Sequence, residues 1–170
     1  MSFICRHHRQ LFSQHPTHAK KVWQSGMRQT LVLYDATRYG EALPHIGSCY
    51  DISLLLIELN NRPHDPELDN YKRLSLSIYG LSKCLRALGE KQAERHFLLE
   101  VHYLLVNEGE QRESSGIEFQ RAYQTSVQML KKHYQFYGEV NPFEPSSRFF
   151  DQSLDKNCRP LHRMAEDTHH

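Results

Sequence analysis

The stretches LYDATRYGEALPHIGSCYDI (33–52) and CLRALGEKQAERHFLLEVHY (84–103) decide the fold of this chain. Each ends one amphipathic run, turns through a glycine and opens a second run whose first core position holds a small residue, Ala42 or Ala93. A small side chain at that position lets two helices approach closely. The two stretches therefore predict stacked helical hairpins and an all-α fold.

Apolar residues recur at helical spacing in five segments around these two turns. The predicted helices cover about 18–37, a segment ending near 60, 66–88, 90–107, and a segment that Ser114 or Ser115 caps and that ends near 138. The short connections favour antiparallel neighbours. We predict about five antiparallel helices in stacked hairpins within a single domain over 1–138, followed by an extended or disordered tail over 139–170.

Prolines and glycines set the predicted helix boundaries. We expect Pro16 to close a basic, histidine-rich lead-in that contains a short helix over Phe3–Phe12. Tyr39-Gly40 is predicted as the first interior turn, with Pro44 in the first turn of the following helix, where its missing N–H is tolerated. The segment NNRPHDP (60–66) is predicted as a loop.

Composition favours a globular, cytoplasmic protein. The 170 residues fit one domain, and the net charge of +1 argues against a strong electrostatic grip on nucleic acid or on an anionic membrane. The longest apolar run, Leu54–Ile57, is far shorter than the roughly 18 residues of a membrane span. Four scattered cysteines without a CxxC pair suit a reducing compartment.

The turn sequences resemble the tetratricopeptide repeat over roughly residues 19–107. RYGEALPHI (38–46) matches the aromatic residue, the alanine and the large apolar residue of that motif at Tyr39, Ala42 and Ile46. ALGEKQAERHF (87–97) is a second, less complete copy. The two alanines are 51 residues apart, whereas the family repeats about every 34 residues, so longer helices and the 60–66 loop must absorb the difference.

The resemblance implies a groove lined by the first helix of each hairpin, and a protein partner in it. Carrying over the groove positions of the family gives seven candidate partner-binding residues: Gln24, Met27, Tyr34, Asp35, Tyr79, Lys83 and Arg86. Leu31 lies on the same stripe and is interpreted as a core residue. The predicted function is an adaptor, regulator or chaperone that binds a peptide or a helical partner.

Catalytic and cofactor motifs do not stand out from the sequence. It contains no G-x-S-x-G, no P-loop, no dinucleotide fingerprint and no HExxH, so we predict a non-enzymatic protein without catalytic residues or cofactors. Twelve histidines are unusual, and several cluster with Cys5 near the N-terminus. Their spacing matches no zinc finger, so we interpret the cluster as a solvated basic arm and predict no metal site; a His/Cys metal-binding protein stays as a further alternative.

Two other kinds of partner stay open at this point. Basic residues lie beside aromatic ones in the N-terminal region, where Arg6, Arg9, Lys20, Lys21 and Arg28 accompany Phe12 and Trp23. That arrangement supports a nucleic-acid-associated regulator as the alternative. The apolar Leu54–Ile57 run supports a homodimer.

Overall fold

The computed structural model describes residues 2–59, 70–111 and 116–142. All regular structure in these ranges is helical, which confirms the predicted all-α class. The helices are α1 (Arg6–Gln14), α2 (Pro16–Asp35), α3 (Tyr39–Leu59), α4 (Asn70–Ala87), α5 (Lys91–Gln111) and α6 (Ile117–Tyr137). The predicted 60–66 loop, the cap at Ser114 or Ser115 and the tail from residue 143 lie outside the described residues.

The N-terminal lead-in forms a full helix, so the described chain has six helices rather than about five. Only His15 separates α1 from α2, and Pro16 begins α2 instead of closing the lead-in. Proline suits this place because the first N–H groups of a helix have no intrahelical partner. The histidine cluster of this lead-in is exposed, as expected of a solvated basic region, although α1 also buries Phe12.

The two hairpin turns have the same backbone hydrogen bonds, although only one of them uses glycine. After α2, the N–H of Arg38 donates to the Leu33 carbonyl (2.8 Å), and Thr37 adopts φ 56°. After α4, the N–H of Glu90 donates to the Leu85 carbonyl (2.9 Å), and Gly89 adopts φ 75°. Both are Schellman caps, which satisfy carbonyl groups that the helix end leaves open.

The predicted turn at Tyr39-Gly40 is wrong, because those residues already belong to α3. The reversal is made by Ala36–Arg38, with Thr37 in the left-handed region where glycine is usual. Pro44 is consequently the sixth residue of α3 rather than part of its first turn. A β-branched residue at positive φ is uncommon, so the sequence pattern pointed to the nearby glycine instead.

In the second hairpin, the buried position that was predicted for the small residue Ala93 is occupied by Glu94 instead. Ala42 follows Thr37 by five residues and is buried, but the residue five positions after Gly89 is Glu94, which is fully buried, while Ala93 is partly exposed. Glu94 accepts hydrogen bonds from Ser82 Oγ (2.6 Å) and Arg86 Nη2 (2.5 Å) on α4. A buried carboxylate is tolerated there because α4 supplies these donors.

In the first 130 residues the helices pack as two layers. α2 and α4 run side by side in the same direction: Trp23 Nε1 donates to Ser77 Oγ (2.8 Å), and further along both helices the Tyr34 hydroxyl donates to the Gly80 carbonyl. We call α2 and α4 the front layer. The front layer rests on α3, whose Ser53 Oγ lies 3.1 Å from Ser77 Oγ.

The back layer consists of α3 and α5, joined by the Tyr50 and Phe97 rings with centroids 5.3 Å apart. The beginning of α6 continues the stack beyond the second hairpin, because Phe119 contacts Tyr71 of α4 at 5.3 Å and Ser126 lies 3.2 Å from His102 of α5. Alternating hairpins of this kind agree with the predicted stacked arrangement.

α3 is the central helix, and its composition reflects that position. In the described part of the chain it alone is long and apolar enough to cross a membrane by length and composition. Most of its surface is instead buried against α1, α2 and α4, as in the core helix of a globular domain, which passes the same test.

Contacts divide the chain into two compact units, residues 1–130 and 131–170. The first unit holds α1 to α5 and most of α6. In the second unit the structure describes the end of α6, which closes with Gly138 at φ 65°, and the short non-helical stretch up to residue 142.

Candidate protein-interaction surface

The outer face of the front layer carries large apolar side chains in contact with water. Leu31 is 57% exposed on α2, and Leu76 and Tyr79 are 42% and 60% exposed on α4. Met27 precedes Leu31 by one turn and is half-buried. We call this face, formed by residues 24, 27, 31 and 34 of α2 and 72, 76, 79 and 83 of α4, the α2/α4 surface. Both sets follow helical spacing, so each forms a continuous stripe.

A contact between Tyr34 and Lys83 joins the two stripes. The Lys83 ammonium lies 5.1 Å from the centre of the Tyr34 ring, a cation–π arrangement. Leu31 is one turn before Tyr34, and Tyr79 is one turn before Lys83. Leu31 and Tyr79 therefore each lie one turn before a residue of this contact.

The Tyr34 side chain is fixed by its surroundings. Burial, together with the nearby Cys84 thiol, raises the pKa of Tyr34 above its ordinary value, so the hydroxyl stays protonated and donates to the Gly80 carbonyl. The absence of a side chain at Gly80 makes room for α3: a Cβ there would lie 2.8 Å from Ile46 Cδ1, whereas its 3.5 Å distance to the Tyr34 oxygen would be an ordinary contact. Tyr34 therefore offers a partner its ring, while its hydroxyl is occupied.

The predicted partner-binding residues divide into three groups. Gln24, Asp35, Tyr79 and Lys83 are exposed, Met27 and Tyr34 are half-buried along the joint between the stripes, and Arg86 points into the second hairpin. The Arg86 guanidinium is held by Glu94 at 2.5 Å, so its main contact is internal.

Two prominent residues of the surface were missed by the sequence reasoning. Leu31 was interpreted as core because its spacing from Trp23 and Met27 is helical, but the buried stripe of α2 runs through Trp23, Thr30 and Leu33. Leu76 was not considered. The spacing 72–76–79–83 on the side opposite the buried stripe of α4 was the signal that could have revealed it.

No family model, curated protein or solved structure matches this chain. The similarity to tetratricopeptide repeats stays a prediction from the turn sequences. The function is therefore inferred from the side chains that the structure places together.

The buried cysteines are chemically quiet. Burial raises the pKa of Cys49 to about 12 and that of Cys84 to about 11, so both are neutral thiols near pH 7. Cys84 Sγ donates to the Tyr39 carbonyl at 2.9 Å, and Cys49 Sγ packs where a Cβ on Gly26 would come within 2.6 Å. Both act as small packing residues between helices.

The buried His102 and Ser126 do not form a nucleophilic pair. The Ser126 hydroxyl donates to the Tyr123 carbonyl at 2.7 Å, so His102 Nδ1 acts as the donor across the 3.2 Å to Ser126. Burial lowers the pKa of His102, and its ring stacks on Tyr123 with centroids 5.7 Å apart. The pair joins α5 to α6.

The N-terminal histidines flank an aromatic side chain. The rings of His8 and His18 each lie 5.9 Å from that of Phe12, and Cys5 Sγ lies 3.2 Å from His8 Nδ1. Across residues 2–59, 70–111 and 116–142, no three His, Cys, Asp or Glu side chains are placed to hold a metal ion.

The N-terminal arm, residues 2–5, is bound to the back layer. Asp51 Oδ2 on α3 accepts hydrogen bonds from Ser2 Oγ (2.8 Å), the Phe3 N–H (2.5 Å) and the Ile4 N–H (2.9 Å). The Phe3 ring rests directly on Gly47 and lies 5.8 Å from the Phe97 ring. The arm therefore covers part of the back layer.

The basic residues near the N-terminus do not form one free patch. Arg9 on α1 makes a two-pronged ion pair with Glu58 of α3, with distances of 3.0 and 2.7 Å. Lys20 is buried in α2. Arg9 and Lys20 are therefore poor candidates for the alternative function, contact with a nucleic acid.

Proposed function

We propose that this protein is a non-enzymatic, cytoplasmic interaction module, a divergent tetratricopeptide-like adaptor, regulator or chaperone. Its α2/α4 surface binds a peptide or a helical segment of another protein. The observation that carries the proposal is the exposure of Leu31, Leu76 and Tyr79 on one face of two parallel helices. Clustered, exposed large apolar side chains are typical of interaction sites.

The apolar contacts alone support a modest affinity. Burying one large apolar side chain contributes about 2 kcal/mol, so covering the exposed half of three contributes about 3 kcal/mol. Binding at micromolar concentration needs about 8 kcal/mol in total, so polar contacts must add to them. Exposed Lys83 and Gln24 on the same surface can supply such contacts.

A peptide-display selection tests the proposal. Clones from a random peptide library are enriched on the full-length protein and then measured against two double variants. Leu31→Asp with Tyr79→Asp changes the α2/α4 surface. The matched control, Val32→Asp with Tyr103→Asp, changes side chains that are 63% and 54% exposed elsewhere on α2 and α5.

We expect the first double variant to lose at least tenfold in affinity for the enriched peptides, whereas the control keeps it. Both variants must retain the helical circular dichroism of the parent. Equal binding by the two variants, or equal loss, would show that the α2/α4 surface is not the binding site.

A further inference from the structure

Charge is separated between the two helical layers, although the whole chain is nearly neutral at +1. The helices of the front layer carry seven lysines and arginines and one carboxylate. The helices of the back layer carry two lysines and arginines and seven carboxylates. The low net charge therefore conceals one basic layer and one acidic layer.

The carboxylates of the back layer are largely used inside the molecule. Six of the seven have a partner within it: Glu41 with Arg38, Asp51 with the N-terminal arm, Glu58 with Arg9, Glu94 with Arg86, Glu100 with the Tyr50 hydroxyl and Glu108 with the Tyr71 hydroxyl. These charges stabilise the fold and are poorly placed to attract a further cation.

The cations of the front layer differ in this respect. Lys21, Arg28, Lys72 and Lys83 are exposed, and none of them has a carboxylate partner within residues 2–59, 70–111 and 116–142. The Lys83 ammonium lies over the face of the Tyr34 ring. The front layer therefore presents positive charge that the rest of the described chain does not neutralise.

On α4 the free cations lie at both ends of the apolar stripe. Lys72 precedes Leu76 by one turn, and Lys83 follows Tyr79 by one turn. At a rise of 1.5 Å per residue, the eleven positions between the two lysines span about 16 Å. A complementary partner has large apolar side chains in its centre and carboxylates on both sides.

We propose that the partner of the α2/α4 surface is an acidic amphipathic segment of another protein. This inference rests on the proposed function and adds the chemistry of the partner. Its apolar side chains cover Leu31, Leu76 and Tyr79, and its carboxylates pair with Lys72 and Lys83. Such charge complementarity mainly sets specificity and the rate of association.

Other occupants fit the surface less well. In a second copy of this chain, six of the seven carboxylates on the described back-layer helices are already paired, so that layer is a poor match for the front-layer cations. A nucleic acid offers the negative charge but few aliphatic groups to cover the exposed Leu31 and Leu76.

Three dye-labelled synthetic peptides test the inference on the full-length protein. They share the same leucine positions on one helical face, and their remaining positions are all glutamate, all glutamine or all lysine. Fluorescence anisotropy measures each affinity at low and at physiological salt. We expect the glutamate peptide to bind about tenfold more tightly than the glutamine peptide at low salt, with a smaller ratio when salt screens the charges.

Lys72→Glu is the diagnostic variant, and Arg6→Glu is its matched control. Both change the net charge equally, but Arg6 lies on α1, which packs against α2 and α3 and contributes no residue to the α2/α4 surface. We expect Lys72→Glu to abolish the preference for the glutamate peptide and Arg6→Glu to preserve it. If the two variants had equal effects, the preference for the glutamate peptide would follow from net charge alone, and the inference would be overturned.

The remaining outcomes separate this inference from the proposed function. If the glutamine peptide binds as tightly as the glutamate peptide, or none of the three binds while library peptides still depend on Leu31 and Tyr79, the acidic partner is wrong and the interaction surface stands. A labelled single-stranded oligonucleotide that binds more tightly than the glutamate peptide and is lost in Lys72→Glu would overturn it. A dimer of the unmodified protein that is detected by light scattering and that Lys72→Glu dissociates would also overturn the inference.

Discussion

Replacing Gly47 by alanine is expected to release the N-terminal arm from α3. Gly47 has no side chain, and the Phe3 ring occupies the space where a Cβ would lie. The ring belongs to a terminal segment, so it can move away more easily than a helix can. The added methyl group therefore competes directly with the docked position of residues 2–5.

The binding of residues 2–5 to α3 is only marginally favourable, so a methyl group at position 47 is enough to displace them. Three hydrogen bonds to the Asp51 carboxylate contribute about 1.5 kcal/mol each, and the half-buried Phe3 adds about 1 kcal/mol. Ordering three residues costs about 1.2–1.5 kcal/mol for each backbone unit. The arm is then held by about 1–2 kcal/mol, which its displacement would remove.

Gly40→Ala in the same helix is the matched control. A Cβ at Gly40 meets nothing within 4 Å, so this variant gains helix propensity of up to about 1 kcal/mol without a clash. Gly47→Ala gains a similar propensity but loses the arm. We expect the free energy of unfolding of the two variants to differ by about 1–2 kcal/mol, with Gly40→Ala the more stable.

Urea denaturation measures the difference, and amide hydrogen exchange locates it. In Gly47→Ala the amides of Phe3 and Ile4 should exchange at least tenfold faster, because their hydrogen bonds to Asp51 are broken. In a Phe3→Ala background, Gly47→Ala should instead stabilise the protein by about 1 kcal/mol. If Gly47→Ala matches Gly40→Ala in stability while Phe3 and Ile4 stay protected, the reasoning about the arm is refuted.

Three further measurements address the hairpins and the joint between α5 and α6. Glu94→Ala should lower the free energy of unfolding by about 2 kcal/mol, because it removes the buried partner of Arg86; an unchanged urea midpoint would contradict this. Thr37→Gly should raise the midpoint by the equivalent of about 1 kcal/mol, since glycine adopts φ 56° without strain, and a lower midpoint would count against that account of the turn. Burial lowers the pKa of His102 in the folded chain, so the unfolded chain binds its proton first and stability should fall as the pH drops below about 6.5, by at most about 1.4 kcal/mol per pH unit for this one group. His102→Gln should reduce that slope and the exposed His96→Gln should not; identical slopes in thermal melts across pH would exclude His102 as the cause.

Sequence periodicity predicted the helices whose buried stripe is continuous. The apolar pattern of α4 through Leu74, Ile78, Leu81 and Leu85 is buried, whereas the last residue of the predicted pattern, Leu88, is exposed next to Gly89 of the hairpin turn. Those features depend on local spacing and on backbone preference. Local spacing and backbone preference can both be read from the sequence without knowing which helices pack together.

Features that depend on a neighbouring helix were not predictable in this way. Glu94 is acceptable in the core only because Ser82 and Arg86 of the preceding helix meet it, and the residue pattern favoured Ala93 for the same place. The Thr37 side chain disfavours a positive φ. Thr37 adopts this conformation because the packing of α2 and α3 fixes the turn between them. The spacing of apolar residues within one helix predicts neither the hydrogen-bond donors around Glu94 nor the backbone conformation of Thr37.

The candidate surface shows the same division. Tyr79, Lys83 and Arg86 of α4 were all predicted to bind the partner; Tyr79 and Lys83 are exposed, whereas Arg86 is held by Glu94 in the second hairpin. Leu31 was assigned to the core because an apolar residue at helical spacing is usually buried. Whether it is covered depends on the separation of α2 and α4, which periodicity within one helix does not contain.

The separation of charge between the layers gives the folded first unit an electric dipole far larger than its net charge suggests. Packed helices are spaced about 8–10 Å apart, which is about one Debye length at physiological salt, so each layer keeps its own field. Near neutral pH the protein should therefore be retained by a cation exchanger at low salt through the unpaired cations of the front layer, despite its net charge of only +1. A charged surface that captures it will also orient it, and an anionic support would hide the face that the partner needs.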